Sequence, residues 1–549
     1  MDRSSIPGFL RDLDREPGAV RTLGIASLSL FAAGLNPRVF SPGLGSVQAA
    51  LRENSEAELL LLLATVVGGG LLLIGGVLGD ANGRRRLMTG ALATMLVTAV
   101  IGLFVTDGPA FVISRMIGLA AASVTLPIAL AGVAVTYDGI PRATAIGIAY
   151  AAYGAATAAG PILLTLFGPD GPTWPAFVAA AVASVAALAV ARAGWRDLPV
   201  PARGDRRAIW ATATWAFGVV LLASGIIGFR TRDDPVRPIL VAAGLAILVL
   251  GLVFERLRPH VSNIASRVDR RAVSVALFVG FIVGYAQTAP LVQLPIYFQI
   301  ALGYGPILAV AATIPFMAAL VVAGPVAGIL IGRFQPRTIV VWGVAAVGAG
   351  NILAALVLGP RTPYIGFGVA MLLIGAGFVV ATTVRTAIIF ASVPRGLPAT
   401  AAALNEVSVT MGVRAALVLV TTFVATTATT SYGSSLAGRP PAEVDAALAA
   451  FRAFLVAIGT PGFPALMTGT GAADLAAYGS AYTEAVRVAL LTSGVGALAG
   501  SVIAGILLGP RDPLTTVWEL QDERPSTEAG ATTAAPPSSA GPAASRSGR

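Results

Sequence analysis

Two apolar runs of about 20 residues, 59–79 and 87–106, stand either side of the charged turn Asp80-Ala81-Asn82-Gly83-Arg84-Arg85-Arg86. A run of that length crosses a hydrocarbon core as a helix. A turn this tight forces the two helices to lie antiparallel and side by side. Gly79 and Gly83 let the backbone bend. Three consecutive arginines re-enter lipid only at high cost, so they pin the turn to one side. Asp80 can face a neighbouring helix end or a cation. A weaker copy of the turn occurs at Gly328-Ile329-Leu330-Ile331-Gly332-Arg333-Phe334-Gln335-Pro336-Arg337. Two copies imply two related halves.

The rest of the chain has the same character. Only 12% of its 549 residues are charged and 56% are hydrophobic, about half the charge of a soluble domain. An all-α polytopic membrane protein follows, since the bilayer must take much of the apolar surface. The length rule gives about fourteen spans. Six (22–43, 59–79, 87–106, 110–136, 143–167 and 174–193) form an N-terminal bundle over 22–194, after a cytoplasmic segment 1–21. Basic loops and an inserted hairpin (208–229 and 238–254) fill 195–271. A second six-helix bundle over 272–509 has spans near 272–300, 306–331, 338–358, 364–390, 399–425 and 483–508. Within the first span, Asn36-Pro37-Arg38 predicts a bend or unwinding. A long outer loop, 426–482, carries helical periodicity at Val444, Leu448, Phe451 and Leu455, which predicts an amphipathic helix over 440–458. The tail 510–549, rich in Pro, Ala, Ser and Thr, reads as disordered and cytoplasmic.

All 37 basic residues are arginine, and they crowd the loops on one side of the predicted spans. The positive-inside rule then places both termini in the cytoplasm of a multi-pass plasma-membrane protein. The arginines punctuate apolar runs and do not line one face, which argues against nucleic acid as a partner. The net charge of +10 suits anionic headgroups of the lipid bilayer. With no cysteine and one histidine, disulfides, thiolate metal sites and a cysteine nucleophile are excluded, and no metal site or cofactor is expected. No Walker-type phosphate loop appears, so ATP drive within this chain is not expected.

The turn carries a resemblance. Gly76, Leu78, Asp80, Gly83, Arg84 and Arg85 match the loop signature of the major facilitator superfamily, with Ala81 where a basic residue is usual. The second copy, with Gly328, Arg333 and Arg337, lies in register. Gly154 and the Gly160-Pro161 pair resemble the superfamily's antiporter signature, with Ala156 replacing its earlier glycine. Gln293-Leu294-Pro295-Ile296-Tyr297-Phe298-Gln299 through Gly303-Tyr304 is similar to the seventh core helix of the fourteen-span drug:proton antiporter branch. Leu404-Asn405-Glu406 to Gly412-Val413 resembles that branch's penultimate core helix. The resemblance implies two six-helix bundles plus two inserted helices. It also implies gating by the loop residues, an Asp80 cap on a helix of the opposite half, and proton-coupled efflux of amphiphilic small molecules by a monomer.

Charges inside spans are the sharpest candidates, because a lone one is costly in lipid. Arg38, Arg115, Arg385, Glu406 and Arg414 qualify. Arg115 falls where the superfamily's fourth-helix arginine is expected, so the resemblance implies a coupling role. Glu406 is the only carboxylate placed well inside a span, at a depth that Arg385 shares on the adjacent helix. Two readings stand: a structural Glu406–Arg385 pair, or a protonation switch. Burial and a nearby cation act oppositely on a carboxylate, so a change in their separation loads or releases a proton. Asn36 stands where the branch usually has an aspartate. It takes up no proton near neutral pH, and with Arg38 beside it a neutral or anionic substrate is expected over a lipophilic cation. Tyr285, Gln287, Gln293, Tyr297 and Gln299, with Asn405 and Arg414, are candidates to line a substrate cavity; interhelical hydrogen bonding is the plainer role for each. A facilitator without proton coupling is the alternative transporter. A polytopic enzyme acting on lipids is the alternative class, but the one histidine, His260, has no evident partner for such chemistry. A non-transporting sensor is a third.

Overall fold

The computed structural model describes residues 18–39, 72, 74–80, 83–104, 108–137, 139–167, 174–195, 236–257, 269–359, 364–393, 398–458 and 463–508, with a few positions between 214 and 225. Predictions for 1–17, most of the second span, much of the inserted hairpin and 509–549 fall outside them. The first half comprises α1 (Ala19–Val39), a helical stretch 74–80, α2 (Arg84–Gly102), α3 (Gly108–Thr136), α4 (Gly139–Phe167) and α5 (Trp174–Gly194). From the insert comes α6 (Val236–Leu257). The second half comprises α7 (Arg270–Ile300), α8 (Pro306–Ala311), α9 (Ile314–Ile331), α10 (Pro336–Val357), α11 (Tyr364–Ser392), α12 (Pro398–Ser435), α13 (Pro441–Ala457), α14 (Phe463–Gly469) and α15 (Ala472–Leu508). Among the described residues, ten helical segments are long and apolar enough to cross a membrane, and the fold is an all-α multi-pass bundle.

The two halves repeat one packing pattern. In the first, α1 packs on α3, α4 and α5, while α2 packs on α3 and α5. In the second, α7 packs on α11, α12 and α15, while α10 packs on α11 and α15. Substituting α7 for α1, α10 for α2 and α11, α12, α15 for α3, α4, α5 carries one set into the other. The loop copies obey the same rule: α9 packs on α11, and Gly75 and Gly79 lie against Val124 and Ile128 of α3. Contacts between halves are paired too, α3 on α12 with α11 on α4, and 74–80 on α12 with α9 on α4. Asp80 and Arg333 lie at the same end of the bundle. Gly79 approaches the C-terminal third of α3, and α4, which starts just after α3, meets Gly328 through Thr144. Arg84–Arg86, Arg142, Arg192 and Arg270–Arg271 share that arginine-rich end.

Two local expectations need correction, and a third gains a detail. The chain stays helical through Pro37 to Val39 and does not unwind at Asn36. The span expected over 306–331 holds as one apolar stretch across Leu308–Ile331, but it is interrupted at Ala312–Thr313 and so comprises two helices. Pro315 explains the break: it has no N–H to give to the carbonyl four residues back. That carbonyl is Ala311; the next one, Ala312, loses its own helical donor because Phe316 N turns to the Thr313 carbonyl at 3.1 Å, and it takes the Tyr364 hydroxyl at 2.9 Å. The outer loop 426–482 is mostly helix, because α12 runs on to Ser435 and α15 begins at Ala472. The amphipathic helix between them is α13, with Phe451 and Phe454 buried. Phe451 and Phe454 pack with Tyr432, Tyr478 and Phe463 at ring-centroid distances of 4.7–5.4 Å, locking α12, α13, α14 and α15 into one crest.

The insert sits on one seam. Leu221 clusters with Leu72 and with Ala403 of α12, and Leu240, Ala243 and Ile247 of α6 pack against that cluster with Leu404, Val407 and Met411. It therefore covers the groove where the two halves meet beside the 74–80 stretch.

Candidate functional site

The first loop copy reaches across the bundle. Helix α12 begins with Pro398, which suits the first turn, and its next backbone N–H groups have no intrahelical acceptor. Asp80 supplies one. Its Oδ1 accepts from Ala399 N at 3.2 Å, and its Oδ2 accepts from Thr400 N at 2.9 Å and Thr400 Oγ1 at 3.0 Å. A carboxylate is favoured at a helix N-terminus by the peptide dipoles as well. Arg84 Nε lies 3.6 Å from Asp80 Oδ1, with both side chains almost sealed from solvent. Gly76 lies so close to α12 that a Cβ there would meet the Ala399 carbonyl at 2.5 Å and Ala403 Cβ at 2.6 Å. Gly83 has φ +94°, a conformation glycine adopts without strain, and it turns the chain into α2. Arg85 ties the turn to α5, donating to the Arg192 carbonyl at 3.0 Å.

The second copy packs without a carboxylate. Gly328 abuts Thr144 at the start of α4, and a Cβ there would collide with its backbone. One turn deeper, Gly324 and Gly147 face each other carbonyl to α-carbon, so neither tolerates a side chain. Gly154 meets Leu320 in the same groove. The residue in the place of Asp80 is Gly332, the C-cap of α9; Arg333 is exposed and Arg337 half-exposed. Gly160 and Pro161 lie within α4, which stays helical through them.

Between the seams, near the arginine-rich end, lies a polar network that joins the halves. Tyr150 of α4 donates its hydroxyl to Glu406 Oε1 of α12. Asn405 Nδ2 donates to the same Oε1 and to the Tyr150 oxygen, both at 3.0 Å. Thr386 of α11 lies 3.3 Å from the Tyr150 hydroxyl and donates to Asn405 Oδ1 at 3.1 Å. Arg385, 0% exposed, donates Nη1 to the Asn405 carbonyl and to Ser408 Oγ, both at 3.0 Å. Its Nε and Nη2 are buried without an acceptor among the described residues. Room for this guanidinium exists because position 280 on α7 is glycine; a Cβ there would meet Nη1 at 2.6 Å. Glu406 itself keeps partial exposure. The structure thus brings Glu406, Arg385 and Asn405 together, with Asn405 between the charges and no direct Glu406–Arg385 ion pair among the described residues. Tyr150, Thr386 and Ser408 were not singled out in the sequence. A tyrosine among the alanines and glycines of the fifth span was the available signal.

The other candidates are dispersed. Arg115 of α3, 8% exposed, donates to Asn36 of α1 through Nη1 to Oδ1 and Nη2 to the carbonyl, both at 3.4 Å. Arg38 lies in α1, its side chain outside the described set. Gln293 accepts from Tyr482 of α15 at 2.6 Å. Tyr297 is fully buried against Phe298 and Phe367 and donates to the Gly359 carbonyl at 2.7 Å. Gln299 returns to its own helix at Pro295. Tyr285 stacks on Phe281, Gln287 is buried, and Arg414 is half-buried. Gln293 therefore bonds to α15 and Tyr297 to the turn after α10, contacts of the plainer kind weighed for them.

Comparison with known proteins agrees with this architecture. The Major Facilitator Superfamily profile matches residues 26–416. No curated protein matches the chain in sequence. Among solved structures, the human organic anion transporter MFSD10 (TETRAN) superposes with a TM-score of 0.56 at 13% identity, covering 90% of this chain and all of that one. The proton:xylose symporter XylE, with 6-bromo-6-deoxy-D-glucose bound, gives 0.52 at 14% identity over 85% of this chain and 94% of its own. A proton-dependent oligopeptide transporter gives 0.53 at 15%, over 91% and 99%.

Proposed function

The chain belongs to the major facilitator superfamily, and from that premise we propose that it is a proton-coupled exporter of neutral or anionic amphiphilic small molecules. The superfamily and its structural neighbours are secondary transporters and not enzymes, so the membrane-enzyme alternative is set aside. Two pseudo-symmetric halves packed across paired seams suit alternating access, in which the halves rock about a site near the midplane. The loop residues Gly76, Asp80, Gly83, Arg84, Arg85, Gly328, Arg333 and Arg337 serve the gate at the arginine-rich, cytoplasmic end. Export of such cargo is the activity implied by the resemblance to the drug:proton antiporter branch.

The observation that carries proton coupling is the seat of Glu406. It is a partly exposed carboxylate at the contact between halves, and a residue of the opposite half donates to it. A proton arriving there competes with the Tyr150 hydroxyl for the same oxygen, so occupancy and seam closure are linked. The preference for neutral or anionic cargo rests on Arg115 and Arg385, cations buried in the bundle, and on Asn36 in place of an acid. Asn36 also supports a second reading, a facilitator that uses no proton. Flux into sealed vesicles under an imposed pH gradient separates the two. Wild type is expected to follow the gradient and Glu406→Gln to lose that dependence. Flux indifferent to the gradient in both proteins rules out proton exchange.

A further inference from the structure

We propose that Glu406 exchanges partners during the cycle, held by Tyr150 when the arginine-rich end is closed and by Arg385 when it opens. The inference rests on the alternating-access reading above and goes beyond it by naming the two partners.

Three observations carry it. Tyr150 belongs to α4 of the first half, whereas Glu406 and Arg385 belong to α12 and α11 of the second. Parting the halves therefore removes Tyr150 and leaves Arg385 in place. Arg385 is only half used. Nη1 is anchored by the Asn405 carbonyl and Ser408, while Nε and Nη2 are sealed from solvent with no acceptor among the described residues. Such donors are expensive to leave unmet, and a buried guanidinium without a counter-charge is more so. Finally, Asn405 forms the bridge. Its carbonyl holds Arg385 and its Nδ2 holds Glu406, so both charges share one pivot on neighbouring helices.

The closed conformer thus stores an unmet demand on Arg385, offset by the hydrogen bond from Tyr150 to Glu406. Opening breaks that bond and lets the carboxylate turn to the waiting Nε and Nη2, a bidentate geometry that arginine favours. Tyr150 is a positioning residue and not a cargo contact.

The chain has no cysteine, so the native background is ready for site-directed labels. Spin labels at Arg86→Cys and Gln335→Cys, exposed positions at the arginine-rich end of opposite halves, report closure in the full-length protein in lipid nanodiscs. Tyr150→Phe is expected to lower the closed population about tenfold, the effect of losing one hydrogen bond to a charged acceptor. Arg385→Gln is expected to shift it the opposite way, because the open state loses its pair, and Arg385→Lys to stay near wild type. Glu406→Gln removes the charged acceptor from both states, so adding Tyr150→Phe to it is expected to change the distribution by less than about twofold; this pair keeps the test decisive where Arg385→Gln fails to fold, as judged by monodisperse elution. An unchanged distribution in Tyr150→Phe overturns the exchange, and so does a shift of Arg385→Gln in the same direction or a full tenfold shift when Tyr150→Phe is added to Glu406→Gln. Vesicle flux with unresponsive distances sinks the exchange alone; responsive distances without flux sink the transporter reading.

Discussion

The seam between the 74–80 stretch and α12 and the seam between α9 and α4 occupy equivalent places in the two halves, yet they are built from different forces. The first is polar. Asp80 meets three donors of α12, and the insert covers the groove beside it. The second is backbone against backbone, with Gly147 facing Gly324 and Gly328 facing Thr144. Hydrogen bonds to a carboxylate are directional and are lost within an ångström or two, whereas close-packed glycines tolerate rolling but not insertion. One seam is suited to release abruptly and the other to serve as a bearing.

The largest effect is expected from breaking the bearing. Gly147→Leu has nowhere to put its side chain, so the cost lies at or above the top of the ~1–3 kcal/mol range for overpacking. Flux should fall to background, and the label distance at the arginine-rich end should lengthen. Wild-type flux would show that α4 and α9 need no close approach. Next comes Asp80→Asn, which replaces an acceptor by a donor facing α12. A loss of about 1–2 kcal/mol lowers the closed population roughly five- to thirtyfold, read by the same labels. The smallest effect sharpens the comparison. Gly332→Asp places a carboxylate where the second copy lacks one, near the α4 N-terminus and at φ −70°, so without strain. It should stabilise the closed state by about 0.5–1 kcal/mol and slow vesicle flux modestly; faster flux would mean that the seams are not equivalent.

Much of this was legible in the chain. Apolar run length announced the spans, and the repeated glycine-arginine turns announced two halves. The polarity of the first seam could be read from Asp80, since a carboxylate beside lipid needs donors. The helix α13 followed from the spacing of Val444, Leu448, Phe451 and Leu455. What escaped depends on three helices meeting. Nothing local to Tyr150 says that it faces Glu406, 256 positions on, or that Asn405 separates Glu406 from Arg385. The Ala312 break was missed for a different reason: length alone cannot see that Pro315 withholds a donor. Helical spacing placed Gln293 and Tyr297 on one face but could not name their hydrogen-bond partners, Tyr482 and Gly359.

The crest has its own consequence. Tyr432, Phe451, Phe454, Phe463 and Tyr478 join elements of the second half only. A nanobody gripping α13 would ride on that half like a mast on a hull. Its tilt against a fixed mark on α2 would read out the rocking angle from outside the lipid, molecule by molecule.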